Sequence, residues 1–188
     1  MFAKDKMKVI DNFLEKEEAD KIEKEFLHPF FPWYYASSIN PDFDHLQEKP
    51  NHQFQFVHSF FFEHKIQSNG WSILEPLINK MKIKALIRVK ANCIPMTEQI
   101  ITHGFHIDYK DNLTAVYYIN SNNGYTEFET GEKVESIKNR IIIFNSNVKH
   151  RGTTCTDKHT RMNVNINFYE PKGDMYEYRH DIISSETS

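Results

Sequence analysis

Cysteine is scarce: Cys93 and Cys155 are the only two in 188 residues. That excludes a disulfide framework and a cysteine-rich zinc site, and it points to a compartment where thiols stay free. Long apolar runs are missing as well. No stretch approaches the ~20 residues that a membrane helix needs. No apolar segment follows Met1-Phe2-Ala3-Lys4-Asp5-Lys6, so neither a membrane span nor a secretory leader is expected. Internal repeats and low-complexity tracts are absent, which excludes solenoids and linkers. The charge balance is nearly even, at −3, and gives no general electrostatic reason to bind nucleic acid. These absences leave one cytoplasmic domain over residues 1–188 as the expectation.

What is present suits a folded core. The chain is 39% hydrophobic and 26% charged, which excludes wholesale disorder, and 15 Phe with 9 Tyr supply large apolar side chains. Lys8-Val9-Ile10 has the pattern of a short strand. Residues 15–27 have that of a helix, with acidic residues in its first turn and Ala19, Ile22, Phe26 and Leu27 as its apolar stripe. An aromatic cluster follows at Phe30-Phe31-Pro32-Trp33-Tyr34-Tyr35. Residues 40–51 then look like an exposed loop, 52–62 like a strand, and 71–81 like a helix to which Pro76 is an objection.

From Ile83 the period becomes two. Ile83, Ala85, Ile87, Val89, Ala91 and Cys93 alternate with Lys84, Arg88, Lys90 and Asn92, as on a strand with two different faces. Further strands are predicted near 104–109, 114–120, 126–128, 132–137, 140–145 and 161–169. They are separated by turn signals such as Lys110-Asp111-Asn112 and Ser121-Asn122-Asn123-Gly124. Residues 173–183 form a candidate final helix. Helices first and closely spaced strands afterwards predict a mainly β, α+β protein with a sandwich or barrel core.

His106-Ile107-Asp108 is the first chemical signal. Two residues apart on a strand, the imidazole and the carboxylate project to one side. With a histidine from elsewhere they make a facial triad, which suits Fe(II) and leaves three coordination positions open. Alone the signal is weak, because 10 His and 10 Asp produce such a pair by chance about half a time. A surface or hydrogen-bonded core pair is the bland alternative. Three further features bear on the choice. His150 follows Arg140-Ile141-Ile142-Ile143-Phe144-Asn145 at a turn, where a third ligand can reach the same cavity. Arg161, Asn163, Asn165 and Asn167 share one face of a strand whose other face is Met162, Val164, Ile166 and Phe168. A single arginine among amides suits a wet cavity that grips a carboxylate. Tyr118 offers a neutral phenol for the same carboxylate, against ordinary strand packing.

These residues, in this order, resemble the Fe(II)- and 2-oxoglutarate-dependent dioxygenases, nearest to their prolyl-4-hydroxylase-like branch. Tyr117-Tyr118-Ile119-Asn120, Asn123-Gly124-Tyr125-Thr126-Glu127-Phe128, Asn139-Arg140 with Phe144, and His150-Arg151-Gly152-Thr153-Thr154 carry the likeness. It covers residues 83–170 well and the first 80 in outline. The resemblance implies a double-stranded β-helix (jelly roll) core at 83–170, helical and strand support at 1–82, and a tail at 171–188. It implies His106, Asp108 and His150 as iron ligands, and Arg161 with Tyr118 at the distal carboxylate of 2-oxoglutarate. Asn163 and Asn92 then line the cosubstrate cavity, Asn92 standing near where many relatives carry a tyrosine. Implied cofactors are Fe(II), 2-oxoglutarate and O2, with ascorbate as an optional reductant. The implied reaction couples decarboxylation of 2-oxoglutarate, to succinate and CO2, with hydroxylation of a peptidyl proline or related substrate.

Rival readings are a nucleic-acid or small-molecule dioxygenase, and an idle or cupin-like barrel that serves as a binding module. The Arg-x-Asn-x-x-x-Arg pattern of the nucleic-acid demethylases breaks at Asn167, and Asp108 disfavours the halogenases, which lack that carboxylate. The basic stripe Lys80, Lys82, Lys84, Arg88 and Lys90 fits a solvated edge. His103, three before His106, is an alternative ligand by residue type, but it falls on the opposite side of a regular strand, which favours a loop or supporting role. Phe31 to Tyr35 and the 40–51 loop are either a lid or a cap on the core. Cys93 and Cys155 are structural, with Cys155 in a loop open to oxidation.

Overall fold

A computed structural model describes residues 7–39 and 54–169. The predicted loop at 40–51 and the predicted helix at 173–183 lie outside the described residues. Eleven strands are present among those described: β1 (Lys8–Ile10), β2 (Tyr34–Ala36), β3 (Gln55–Phe62), β4 (Lys65–Ile66), β5 (Ala85–Pro95), β6 (Leu113–Tyr118), β7 (Tyr125–Phe128), β8 (Lys133–Glu135), β9 (Ile141–Asn145), β10 (His150–Gly152) and β11 (Thr160–Tyr169). The larger sheet runs in the order β1-β9-β6-β11-β5-β3-β2, with β4 on β3, and the smaller in the order β10-β7-β8. Every pairing is antiparallel. The two sheets make a jelly roll, with helical support from the N-terminal half.

Alternation decides what each face of the large sheet meets. Val89, Ala91 and Cys93 of β5 and Met162, Val164, Ile166 and Phe168 of β11 enter one core. That core is closed by helix α1 (Lys16–Phe26), which buries Ala19, Ile22 and Phe26, and by α2 (Glu75–Lys80), which buries Leu77 and Ile78. The opposite face looks at the small sheet, where Val116, Tyr118, Phe128, Val134, Ile142 and Phe144 form a second cluster. The polar residues of β5 and β11 also lie on this face. Pro76 stands in the first turn of α2, where its missing N–H costs nothing, so the objection it raised dissolves.

Asn139 ties the helical layer to the sheets. It occupies the left-handed region at φ 64°. Its Oδ1 accepts from the Leu14 N–H at 2.8 Å, and its Nδ2 donates to the Leu14 carbonyl at 2.8 Å. The aromatic segment divides in two. Phe31 stacks on Phe26 at 4.6 Å, and Trp33 donates to the Phe26 carbonyl at 3.3 Å, so both cap the core. Phe30, Tyr34 and Tyr35 are exposed. Cys155 is fully buried, which corrects its expected openness to oxidation. No helix among the described residues is long and apolar enough to cross a membrane.

Two expected features differ. The strand predicted at 104–109 does not form; isolated bridges join Thr102 to Thr153 and His106 to His150 instead. Three residues separate those bridges on one side and two on the other, so the backbone bulges at 103–105. His150 begins a short strand, β10, where a turn was expected.

Candidate metal centre

The bridge between His106 and His150 is closed by two backbone hydrogen bonds of 3.0 Å, one from each N–H. It sets the two imidazoles side by side, with centroids 4.8 Å apart. Asp108 reaches the same point: its Oδ1 lies 3.9 Å from His106 Nε2 and its Oδ2 lies 3.7 Å from His150 Nε2. One ligand atom from each residue falls within 4.8 Å of the others. His106 Nδ1 faces the Gly104 carbonyl at 3.1 Å, and His150 Nδ1 faces the Val148 carbonyl at 3.4 Å. A carbonyl only accepts, so Nδ1 carries the proton in both rings and Nε2 presents a lone pair. Two lone pairs converging on a carboxylate repel unless a cation lies among them. The donor set, two imidazoles and one carboxylate, therefore fits a divalent ion with open positions.

Asp108 is held by its neighbours before any ion arrives. Arg88 Nη2 donates to Oδ1 at 2.9 Å, and Asn165 and Asn167 donate to Oδ2 at 2.7 and 3.4 Å. Burial pushes its carboxyl pKa up. The charge of Arg88, with the Asn165 hydrogen bond, pulls harder and holds it well below the usual carboxylate range. His150 is 4% exposed, and burial brings it down to about 4 against the opposing pull of Asp108. Phe144 packs on its ring at 4.8 Å and closes that side of the centre to water.

Arg161 stands elsewhere in the same cavity, 2% exposed on the polar face of β11. Its Nε donates to Ser136 Oγ at 2.7 Å and one terminal nitrogen to Thr126 Oγ1 at 3.1 Å. The other, Nη1, borders Gly152: a Cβ built there would sit 3.3 Å from it. Gly124 makes room for the arginine stem, since a Cβ at that position would lie 2.7 Å from Arg161 Cδ. Tyr118 is fully buried beneath, its hydroxyl donating to Thr126 Oγ1 at 2.8 Å and its ring 5.7 Å from the guanidinium. It buttresses Arg161 and does not line the cavity. Asn92 and Asn163 do line it, paired by a 2.9 Å hydrogen bond, and the buried Asn92 Oδ1 has no partner among the described residues.

Three residues differ from their expected places. Arg88 and Lys90 leave the solvated stripe: Arg88 clamps Asp108, and Lys90 lines the cavity, where burial brings its ammonium down to about 8. His103 does not turn away from His106. The extra residue of the bulge reverses the alternation, and both histidines line the cavity. Arg88, Thr126, Ser136 and Gly152 were missed as site residues. For Arg88 the alternation held a signal, because it shares the even face of β5 with Asn92.

No family model matches the chain, and no curated protein matches it in sequence. Its fold does match solved structures. A prolyl hydroxylase from Trichoplax adhaerens, in complex with a hypoxia inducible factor peptide fragment, is 12% identical, with TM-score 0.65 over 97% of this chain and 87% of that one. The alpha ketoglutarate dependent epimerase SnoN of nogalamycin biosynthesis is 12% identical, with TM-score 0.59 over 92% and 82%. A Pseudomonas putida prolyl-4-hydroxylase is 11% identical, with TM-score 0.55 over 87% and 92%. The chain shares its fold with these proteins.

Proposed function

We propose that the protein is an Fe(II)- and 2-oxoglutarate-dependent oxygenase that hydroxylates a peptide substrate, with peptidyl proline the first candidate. The observation that carries this reading is one cavity with two distinct binding sets. His106, Asp108 and His150 offer converging lone pairs, and Arg161 keeps Nη1 outside its hydrogen bonds to Ser136 and Thr126 within the same cavity. Bound by the three ligands, the ion would supply the redox chemistry by which dioxygen and 2-oxoglutarate yield succinate, CO2 and a hydroxylated substrate.

The side chains then have separable tasks. Arg161 takes the distal carboxylate of 2-oxoglutarate, with its charge undiminished because guanidinium does not deprotonate in proteins. Ser136, Thr126 and Tyr118 fix the direction in which it points. Asn92 and Asn163 present amides along the cosubstrate, and the unpartnered Asn92 Oδ1 is available to a donor on a bound molecule. Arg88, Asn165 and Asn167 hold the Asp108 carboxylate in one orientation. Ascorbate has no assigned residue and serves as an external reductant.

A peptide substrate is supported by two observations. The Trichoplax neighbour is described with a peptide bound. In this chain the exposed Tyr34 and Tyr35 lie on edge strand β2, and the segment that follows reaches the cavity at Ile39. Aromatic faces beside a strand that ends the sheet among the described residues suit an extended peptide. The test is formation of succinate from 2-oxoglutarate with Fe(II), with and without proline-bearing peptides. Peptide-stimulated succinate that disappears in Asp108→Ala is expected; succinate formation undiminished in that variant would overturn the reading.

A further inference from the structure

His103 is the least satisfied polar side chain in the cavity. It is 2% exposed, lines the cavity, and among the described residues neither ring nitrogen has a hydrogen-bond partner. Buried polar groups are nearly always paired, and leaving one unpaired is costly. A side chain that forgoes pairing in the protein is matched to something that enters the cavity.

Its position says what that is. A Cβ built on Gly152 would stand 3.3 Å from Arg161 Nη1 and 3.7 Å from His103 Nδ1. Arg161 Nη1 and the unpartnered imidazole nitrogen therefore flank one small space, kept open because residue 152 has no side chain. The His103 backbone N–H donates to the Gly152 carbonyl at 3.0 Å and fixes the distance between the two segments. Burial and the nearby charge of Arg161 drive the imidazole down to about 3, so the ring is neutral and keeps one N–H to give. A carboxylate oxygen accepts from both groups at once, whereas a cation is repelled by Arg161.

We propose that His103 is a cosubstrate-binding residue: its Nδ1–H and Arg161 Nη1 together hold the distal carboxylate of 2-oxoglutarate in the space above Gly152. This rests on the oxygenase reading and adds to it a residue outside the ligand triad. The bulge at 103–105 has a purpose in this light, since a regular strand would carry His103 to the other side.

The test compares 2-oxoglutarate with 2-oxopentanoate, which has the same keto-acid head and a methyl group in place of the distal carboxylate. Binding to the anaerobic Fe(II) protein is followed by the visible charge-transfer absorption, without turnover. His103→Phe is expected to weaken 2-oxoglutarate by about tenfold or more and to leave 2-oxopentanoate unchanged. His103→Asn places an amide nitrogen where Nδ1 stands and restores most of the affinity. Gly152→Ala fills the space and gives the same selective loss without touching His103. The apo form of His103→Phe keeps or raises the wild-type melting temperature, because an unpaired buried group has been removed; a purely structural histidine would lower it. Wild-type affinity for 2-oxoglutarate in both His103→Phe and Gly152→Ala, or equal loss for both ligands, would overturn the assignment of His103 alone. A wild-type protein that binds the two keto acids equally would overturn the oxygenase reading and this assignment together.

Discussion

Gly124→Ala is the sharpest test of how the fold delivers Arg161 to the cavity. The added methyl would stand 2.7 Å from Arg161 Cδ, 2.7 Å from the Thr154 carbonyl oxygen and 2.9 Å from Asn122 Oδ1. Carbon and oxygen atoms that are not bonded do not approach so closely, so something must move. The Thr154 oxygen belongs to the backbone. Arg161 is no freer, with Nε on Ser136 and Nη2 on Thr126 in a site that is 2% exposed. Overpacking costs ~1–3 kcal/mol, and displacement of the guanidinium from its hydrogen bonds puts this substitution near ~3 kcal/mol. For a protein of this size that lowers the melting temperature by roughly 6–12 °C. The assay is thermal denaturation followed by circular dichroism, with 2-oxoglutarate binding measured on the same samples below the transition. A control is Gly131→Asn: Gly131 has φ 91° between β7 and β8 with nothing within 4 Å of an added Cβ, and asparagine tolerates positive φ better than most residues. A Gly124→Ala protein with the wild-type melting temperature and wild-type affinity would refute the account of Arg161.

Two further predictions concern stability. Asn139→Ala removes both hydrogen bonds to Leu14 and leaves alanine at φ 64°, at a cost of about 3 kcal/mol. Urea unfolding should show it as a lower midpoint with an unchanged slope, and an unchanged midpoint would refute the tie. Lys90 sits in the folded protein with its pKa down at about 8, below the value of ~10.4 in the unfolded chain. Between those values the unfolded state binds more protons, so the penalty for burying Lys90 is complete below about pH 8 and fades as pH rises toward 10. Melts at about pH 7 and about pH 9.5 should show Lys90→Met more stable than wild type at the lower pH and the gap closing at the higher. A gap that is constant with pH would place the ammonium in water.

Much of the site was legible because it depends on local periodicity. The apolar–polar alternation of β5 and β11 separates core from cavity residues, and His106 and Asp108 meet at one point although the strand that their spacing of two suggested does not form. Arg161, Asn163 and Asn92 were found on that basis together with the family likeness. What was not legible depends on pairing between distant segments. The bulge at 103–105 exists only in relation to β10, so the sequence around His103 implied the wrong side for its ring. Arg88 looked like one member of a solvated basic stripe, because nothing local shows that β5 lies against β11 with Asp108 above both. Gly124 and Gly152 are ordinary in sequence; their need for a bare Cα appears only once Arg161 is threaded past them.

The central claim is that His106, Asp108 and His150 hold Fe(II) while Arg161 holds 2-oxoglutarate in one cavity. Its most direct test is an anaerobic titration of the apo-protein with Fe(II) and then 2-oxoglutarate, watching for the visible charge-transfer band of the iron–keto-acid chelate. The account predicts a saturable band in wild type, none in Asp108→Ala, and a band that needs much more 2-oxoglutarate in Arg161→Met. A folded wild-type protein that binds iron without developing the band, or a band undiminished in Asp108→Ala, would contradict it.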